Sequence, residues 1–148
     1  MRRATAGDLP LLVTLMEEMY AELGTPMEPS SAERGFAELI ADPRLGRAYL
    51  LEADSEVAGY VVLTLGFTLQ FGGRDAFIDD LFIRPAFRDR GIGGATLESL
   101  RTEAEAMGAR AVHLLVLHTN PRAEALYSRH GFSTLPYRFM SLELERSS

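Results

Sequence analysis

Arg88-Asp89-Arg90-Gly91-Ile92-Gly93-Gly94 lies between a strand-like segment that ends at Pro85 and a helix-like one that opens at Ile92. A helix N-terminus leaves its first backbone N–H groups without intrahelical partners, and those groups point at whatever approaches along the axis. Glycines there let a phosphate come close, and the helix dipole favours negative charge. The flanking Arg88 and Arg90 add positive charge. The run therefore reads as a cradle for a pyrophosphate, and the rest of the chain must say whose.

Working outward, Ile92 to Met107 reads as a helix with Leu97, Leu100, Ala104 and Met107 on one face and Gly108 as its stop. Upstream, Arg47 to Ala53, Val57 to Phe67 and Ala76 to Ile83 read as three strands, with turns at Asp54-Ser55-Glu56 and Gly72-Gly73. Two helices precede them. The first is expected from an Asp8 cap to Leu23, with Gly24 as its stop; the second is expected from a Ser30/Glu33 capping box to Ala41. Downstream, Ala111 to Leu117 is a nearly continuous apolar run and reads as a strand buried on both faces. Asn120-Pro121 opens a last helix, with Asn as cap and Pro at the first helical position, and Gly131 closes it. Phe132 to Leu135 and Arg138 to Leu144 read as final strands, and Glu145 to Ser148 as a frayed tail. Hairpins in the middle and a strand–helix–strand crossover later imply an α/β fold with a mixed sheet, in a single domain spanning residues 1–148.

Bulk properties bound the function. The 148 residues are 47% hydrophobic and 24% charged, an ordinary globular balance, and the formal net charge is −6. That charge argues against a nucleic-acid or anionic-membrane partner. The absence of cysteine removes disulfides, thiolate catalysis and cysteine-based zinc sites. No apolar run approaches a membrane span, and the N-terminus lacks a signal-peptide pattern, so a cytoplasmic location is the default. His113, His118 and His130 have no metal-binding spacing, and no metal is expected.

Nucleotide readings of the glycine run fail on specific positions. A Walker loop needs Lys-Ser/Thr after its second glycine, and here Gly94 is followed by Ala95-Thr96. A dinucleotide fingerprint needs a third glycine where Thr96 stands, and a place in the first strand–helix unit, whereas three strands precede this one.

Arg88-x-x-Gly91-x-Gly93 resembles instead the acyl-CoA loop of the GCN5-related N-acetyltransferase (GNAT) superfamily. The preceding Ile78-Asp79-Asp80-Leu81-Phe82-Ile83-Arg84-Pro85 resembles that superfamily's central strand and its proline-terminated exit. The later Asn120-x-x-Ala123-x-x-Leu126-Tyr127 with Gly131-Phe132 resembles its second block. The opening Arg2-Arg3-Ala4-Thr5 with Asp8 and the element order fit as well, so the resemblance covers nearly the whole chain and is weakest from Gly24 to Asp42.

The resemblance implies a sheet flanked by about four helices and an enzyme that moves the acetyl group of acetyl-CoA to a primary amine by direct attack. Arg88, Asp89, Arg90, Gly91, Ile92, Gly93 and Gly94 would hold the pyrophosphate. The main chain of Leu81, Phe82 and Ile83 would pair with the pantetheine arm, in a slot where this strand and the next splay apart. Asn120 is implied as a cofactor contact besides its role as helix cap. Tyr127, two turns further along that helix, is the candidate acid for the departing thiolate; its structural alternative is a buried aromatic.

Asp79 is the first candidate for the base, with Asp80 or a water relay as alternatives. Two aspartates in mid-strand are unusual, and strand alternation puts them on opposite faces, Asp79 with Leu81 and Ile83. Diamine-type relatives often carry glutamate where this chain has Asp79. Glu17, Glu18, Tyr20, Glu22, Met27, Glu28, Phe67, Phe71 and Tyr137 are candidate walls of an amine pocket. A small amine, a protein N-terminus or lysine, and a non-catalytic acyl-CoA sensor remain alternatives. A homodimer is expected on the resemblance alone.

Overall fold

In the first helix, Leu9, Leu12, Leu15, Met16 and Met19 recur at helical spacing, and Leu12 and Leu15 have no exposed surface at all. A computed structural model of the chain describes residues 1–145 and places these side chains against one face of a five-stranded sheet. The elements are β1 (Arg2–Arg3), α1 (Leu9–Leu23), α2 (Pro29–Ala41), β2 (Gly46–Ala53), β3 (Glu56–Thr68), β4 (Gly73–Ile83), α3 (Ile92–Ala106), β5 (Val112–Leu114) and α4 (Pro121–Arg129). The tail expected beyond Glu145 lies outside the described residues. No helix among the described residues is long and apolar enough to cross a membrane.

The strands lie side by side in chain order. All neighbours are antiparallel except β4 and β5, which run parallel after the α3 crossover. This is the mixed α/β sheet expected. Alternation gives the sheet two faces. Leu50, Tyr60, Val62 and Phe82 pack under α1 and α2. Tyr49, Val61, Leu63, Ala76 and Ile78 pack under Leu97, Leu100 and Ala104 of α3, joined by Leu126 and Tyr127 of α4. Truncating a buried leucine such as Leu100 to alanine would cost about 2–5 kcal/mol.

The helix starts differ in detail from those expected. The Asp8 carboxylate turns back to accept the Thr5 N–H at 2.8 Å and pairs with Arg2 at 3.0 Å, instead of capping α1. Those bonds hold its pKa down at about 2. At α2, Glu28 occupies the cap position and Pro29 opens the helix. The Ser30 hydroxyl donates to Glu28 at 2.9 Å, so the Ser30/Glu33 box does not form. Proline explains the earlier start, because it brings a preset φ and no N–H to satisfy.

Two larger corrections concern the end of the chain. β5 pairs with β4 only through Val112, His113 and Leu114, and Leu115 and Leu117 are mostly exposed rather than buried on both faces. Neither Phe132–Leu135 nor Arg138–Leu144 forms a strand. A strand needs a partner edge as well as an alternating pattern, and among the described residues these segments pair with none.

Candidate active site

Strand β4 carries the site because its ladder is irregular at one point. Val62 pairs with Asp80, but the next residue of β3, Leu63, pairs with Ile78. Asp79 is the extra residue of a β-bulge, unpaired across the ladder. The bulge switches the parity of the strand. Ala76 and Ile78 belong to the α3 face before it, and Leu81 and Ile83 to the same face after it. Asp80 and Phe82 consequently look towards α1 and α2, with Asp80 bonded to Tyr60 and Phe82 in the core beneath those helices.

The expectation that Asp79 shares a face with Leu81 and Ile83, opposite Asp80, is therefore wrong. Both aspartates serve the α1/α2 side, where each acts electrostatically on Tyr20 and Tyr60. A missed site residue follows from this. The fully buried Tyr60 donates its hydroxyl to Asp80 Oδ2 at 2.9 Å. Burial first, and the neighbouring Asp79 charge second, push the Asp80 carboxyl up to about 6. The same two causes, burial and the aspartates, raise the Tyr20 and Tyr60 phenols.

The bulge also marks the point where β4 and β5 part. Ladder pairing ends at Ile78 with Leu114, so Asp79 to Ile83 have no β5 partners on that edge. The main chain of Leu81, Phe82 and Ile83 is thus left without ladder partners on the β5 side. Their side chains are core or partly buried.

The glycine run leads from the end of β4 to α3. Asp89 and Gly91 take left-handed backbone angles, φ 63° and 79°, which turn the chain sharply into the helix. A Cβ on Gly91 would meet nothing within 4 Å, so the space over it is open. Gly93 and Gly94 have a different reason for being small. Added Cβ atoms would approach Leu126 Cδ2 of α4 and Nε2 of His130, the residue after α4, each at 3.0 Å. These two glycines let α4 dock on the first turn of α3, a docking reinforced by His130 bonded to Glu98 at 3.2 Å and by the ion pair of Asp89 with Arg122.

The arginines of the run are engaged. Arg88 donates Nε to the Ile83 carbonyl at 2.9 Å, pairs with Glu22 of α1 at 2.8 Å and lies over the Phe82 ring. Arg90 pairs with Asp54 at 3.1 Å and lies over Phe87. Glu22, placed by the sequence in the amine pocket, instead holds Arg88. Glu18 likewise holds Arg84, at 2.9 Å. Phe67 lies on the other side of the sheet, in an arginine-lined cavity with Arg47, Arg74 and Met107.

On α4, Asn120 caps the helix as expected, its Oδ1 accepting the Ala123 N–H at 3.2 Å. The cap leaves its amide nitrogen free to donate elsewhere. Tyr127 packs edge-on to Phe132 and against the α3-side core. Burial raises its phenol above the usual value, so it carries its proton at neutral pH.

A strand whose pairing to its neighbour ends midway, followed by a glycine turn onto a helix N-terminus, fits the arrangement the sequence resemblance implied; the acidic bulge at the parting point is new. The Acetyltransferase (GNAT) family model matches residues 13–132. The chain belongs to the GNAT family. This N-acetyltransferase is 27% identical to the thialysine N-epsilon-acetyltransferase of Bos taurus over 90% of its own length and 84% of that protein's. Its fold matches an integron cassette protein from a salt-marsh metagenome, at a TM-score of 0.88 and 36% identity, over 99% of this chain and 91% of the other. It also matches a predicted acetyltransferase of Clostridium acetobutylicum, solved with acetyl-CoA, at a TM-score of 0.81 and 19% identity, over 96% and 94% of the two chains.

Proposed function

We propose that this GNAT enzyme acetylates a primary amine of a small molecule, by direct attack of the amine on acetyl-CoA within a ternary complex. The observation that carries this reading is the acidic bulge at the mouth of the β4–β5 slot. A thioester lying along Leu81 to Ile83 would present its carbonyl beside Asp79 and Asp80, and an amine arriving from the α1/α2 side would meet the two carboxylates first. Similarity to a thialysine acetyltransferase supports a small amine as acceptor.

The roles follow from proton bookkeeping. An alkylammonium, with a pKa near that of lysine at about 10, must lose a proton before it can attack. Asp80 is the better placed of the pair to take it, because its carboxyl sits at about 6 and is held by Tyr60. Asp79, exposed beside it, attracts the cation and helps to raise its neighbour. The amine nitrogen bonds to the thioester carbon, and the carbonyl π pair moves onto oxygen, where a main-chain N–H of the slot stabilises it. Collapse breaks the C–S bond. The departing thiolate takes the Tyr127 proton, and Tyr127 is restored by the second proton that the nitrogen sheds. The products are the amide, CoA thiol and one proton left on Asp80 for solvent. Main-chain amides of Gly91 to Gly94 would hold the pyrophosphate, with Asn120 donating to the cofactor arm.

The test is thiol release from acetyl-CoA with a panel of small amines, aminoglycosides and peptides. The sequence contains no lysine, so release without added acceptor cannot come from lysine self-acetylation. Release with small amines, and loss of turnover but not of CoA affinity in Tyr127→Phe, is the expected result. Tight CoA binding with no release for any amine would favour a sensor instead. The reading includes a homodimer, supported by the apolar C-terminal segment left uncovered in the single chain.

A further inference from the structure

The α1/α2 face of the sheet holds a second polar cluster just behind the bulge. Asp75 of β4 is buried, with only 6% of its surface exposed. Its Oδ2 accepts the Thr68 hydroxyl at 2.5 Å and lies 3.0 Å from Nε2 of His113 on β5. The His113 ring is 4.8 Å from that of Phe71 and 6.2 Å from that of Phe77. The ring nevertheless keeps 21% of its side-chain surface open. It is fixed on one side and open on the other.

The placement is set by register. His113 is the β5 partner of Phe77, and Asp79 lies two residues further along β4. Adjacent strands are about 4.8 Å apart and two residues span about 6.6 Å, so the backbone of His113 lies about 8 Å from that of Asp79, on the same face as Phe77. With Nε2–H given to Asp75, Nδ1 is the ring's acceptor. The buried carboxylate behind the ring makes that lone pair a stronger acceptor. Phe71 and Phe77 pack against the His113 ring and give it apolar neighbours, Phe77 standing two residues before Asp79 on β4.

We propose that His113, oriented by Asp75, is a specificity-determining residue of the acceptor site: it binds a second hydrogen-bond donor on the amine substrate. This rests on the amine-acetyltransferase reading and deepens it. The acceptor class is an amine whose apolar linker lies on Phe71 and Phe77 and whose far end carries an ammonium or a hydroxyl, as in a diamine or an amino alcohol. The reacting nitrogen is then delivered to Asp79 and Asp80 while the far group donates to Nδ1.

The experiment compares matched acceptors of one chain length: an alkylamine, an amino alcohol and a diamine. The wild-type enzyme is expected to favour the two-donor amines in kcat/KM by about tenfold or more, the weight of one hydrogen bond to a polar or charged donor. In His113→Phe that ratio should collapse towards one. In His113→Gln, whose amide can both donate to Asp75 and accept from substrate, most of it should return. The amino alcohol and diamine arms tell a neutral far group from a charged one. Equal use of all three amines by the wild type, or a wild-type ratio in His113→Phe, would overturn the inference and leave the acetyltransferase reading standing. Turnover of no amine at all would overturn both. The wild-type comparison decides the matter even if His113→Phe does not fold.

Discussion

Burial holds the Asp80 carboxyl at about 6, against about 3.9 in an unfolded chain. A carboxyl raised on folding stabilises the native state only while it is protonated. That contribution is complete below about pH 4 and is lost as pH rises through about 6. At pH 8 the ionised Asp80 therefore costs up to about 3 kcal/mol relative to its neutral form. As a base, the same group works only above that range. Asp80→Asn keeps an oxygen for the Tyr60 hydroxyl and cannot ionise. It should melt higher than the wild type at pH 8, by an advantage that grows from about pH 4 to 6 and then levels off, while kcat falls by about 10²–10⁴. Thermal melts across pH and a pH–rate profile check both halves; a wild-type acid limb with no inflection near 6 would assign the base elsewhere. The signal for this pair was present in the sequence. Small and apolar residues stand at even positions, Ala76 and Ile78, then at odd ones, Leu81 and Ile83. Read as an uninterrupted strand, that shift is invisible; read as a bulge, it puts both aspartates on one face. The Tyr60 bond and the Asp75–His113 pair were not legible, since each joins residues from different strands.

Among the elements, those bounded by punctuation were read well. Gly24, Gly72, Pro85, Gly108 and Pro121 stop or start chain segments by backbone chemistry that needs no tertiary contact. Strand β5 stops at Leu114, short of the apolar run to Leu117, because nothing in that run marks where its pairing with β4 ends. The turn onto α3 is a junction whose conformation does have a sequence cause. Gly91 sits at φ 79° with open space above it. Gly91→Ala should cost about 1–2 kcal/mol of stability from the left-handed angle alone. On the proposed pyrophosphate site its methyl group would stand in the open space over the α3 amides, so CoA affinity should fall by more than tenfold as well. Isothermal titration with CoA measures the second effect separately from a denaturant melt; an unchanged Kd would place the pyrophosphate off this turn.

At the scale of the whole molecule, the C-terminal segment stands apart from the rest. Phe139, Met140, Leu142 and Leu144 are between 69% and 90% exposed, and Leu115 and Leu117 beyond β5 are 58% and 56% exposed. Soluble monomers rarely leave an apolar patch of that extent in water. The segment also alternates, Phe139, Ser141 and Glu143 against Met140, Leu142 and Leu144, the pattern of a strand with one face to bury. A strand pattern that pairs with no edge of its own chain among the described residues is one that a second copy can pair with, and twofold symmetry supplies two such pairings at once. The expected outcome is a dimer in sedimentation equilibrium of the full chain at micromolar concentration. Replacing Met140 and Leu142 together with aspartate should shift it to monomer, because each like-charged pair would sit in the joined face. The exchange would also bring the segment around Tyr137, which receives a 3.3 Å hydrogen bond from Gln70 beside Phe71, under the control of the partner. The monomeric variant should therefore lose acceptor affinity more than CoA affinity. A wild-type chain that sediments as a monomer at that concentration would refute the exchange, and with it the coupling between assembly and the acceptor site.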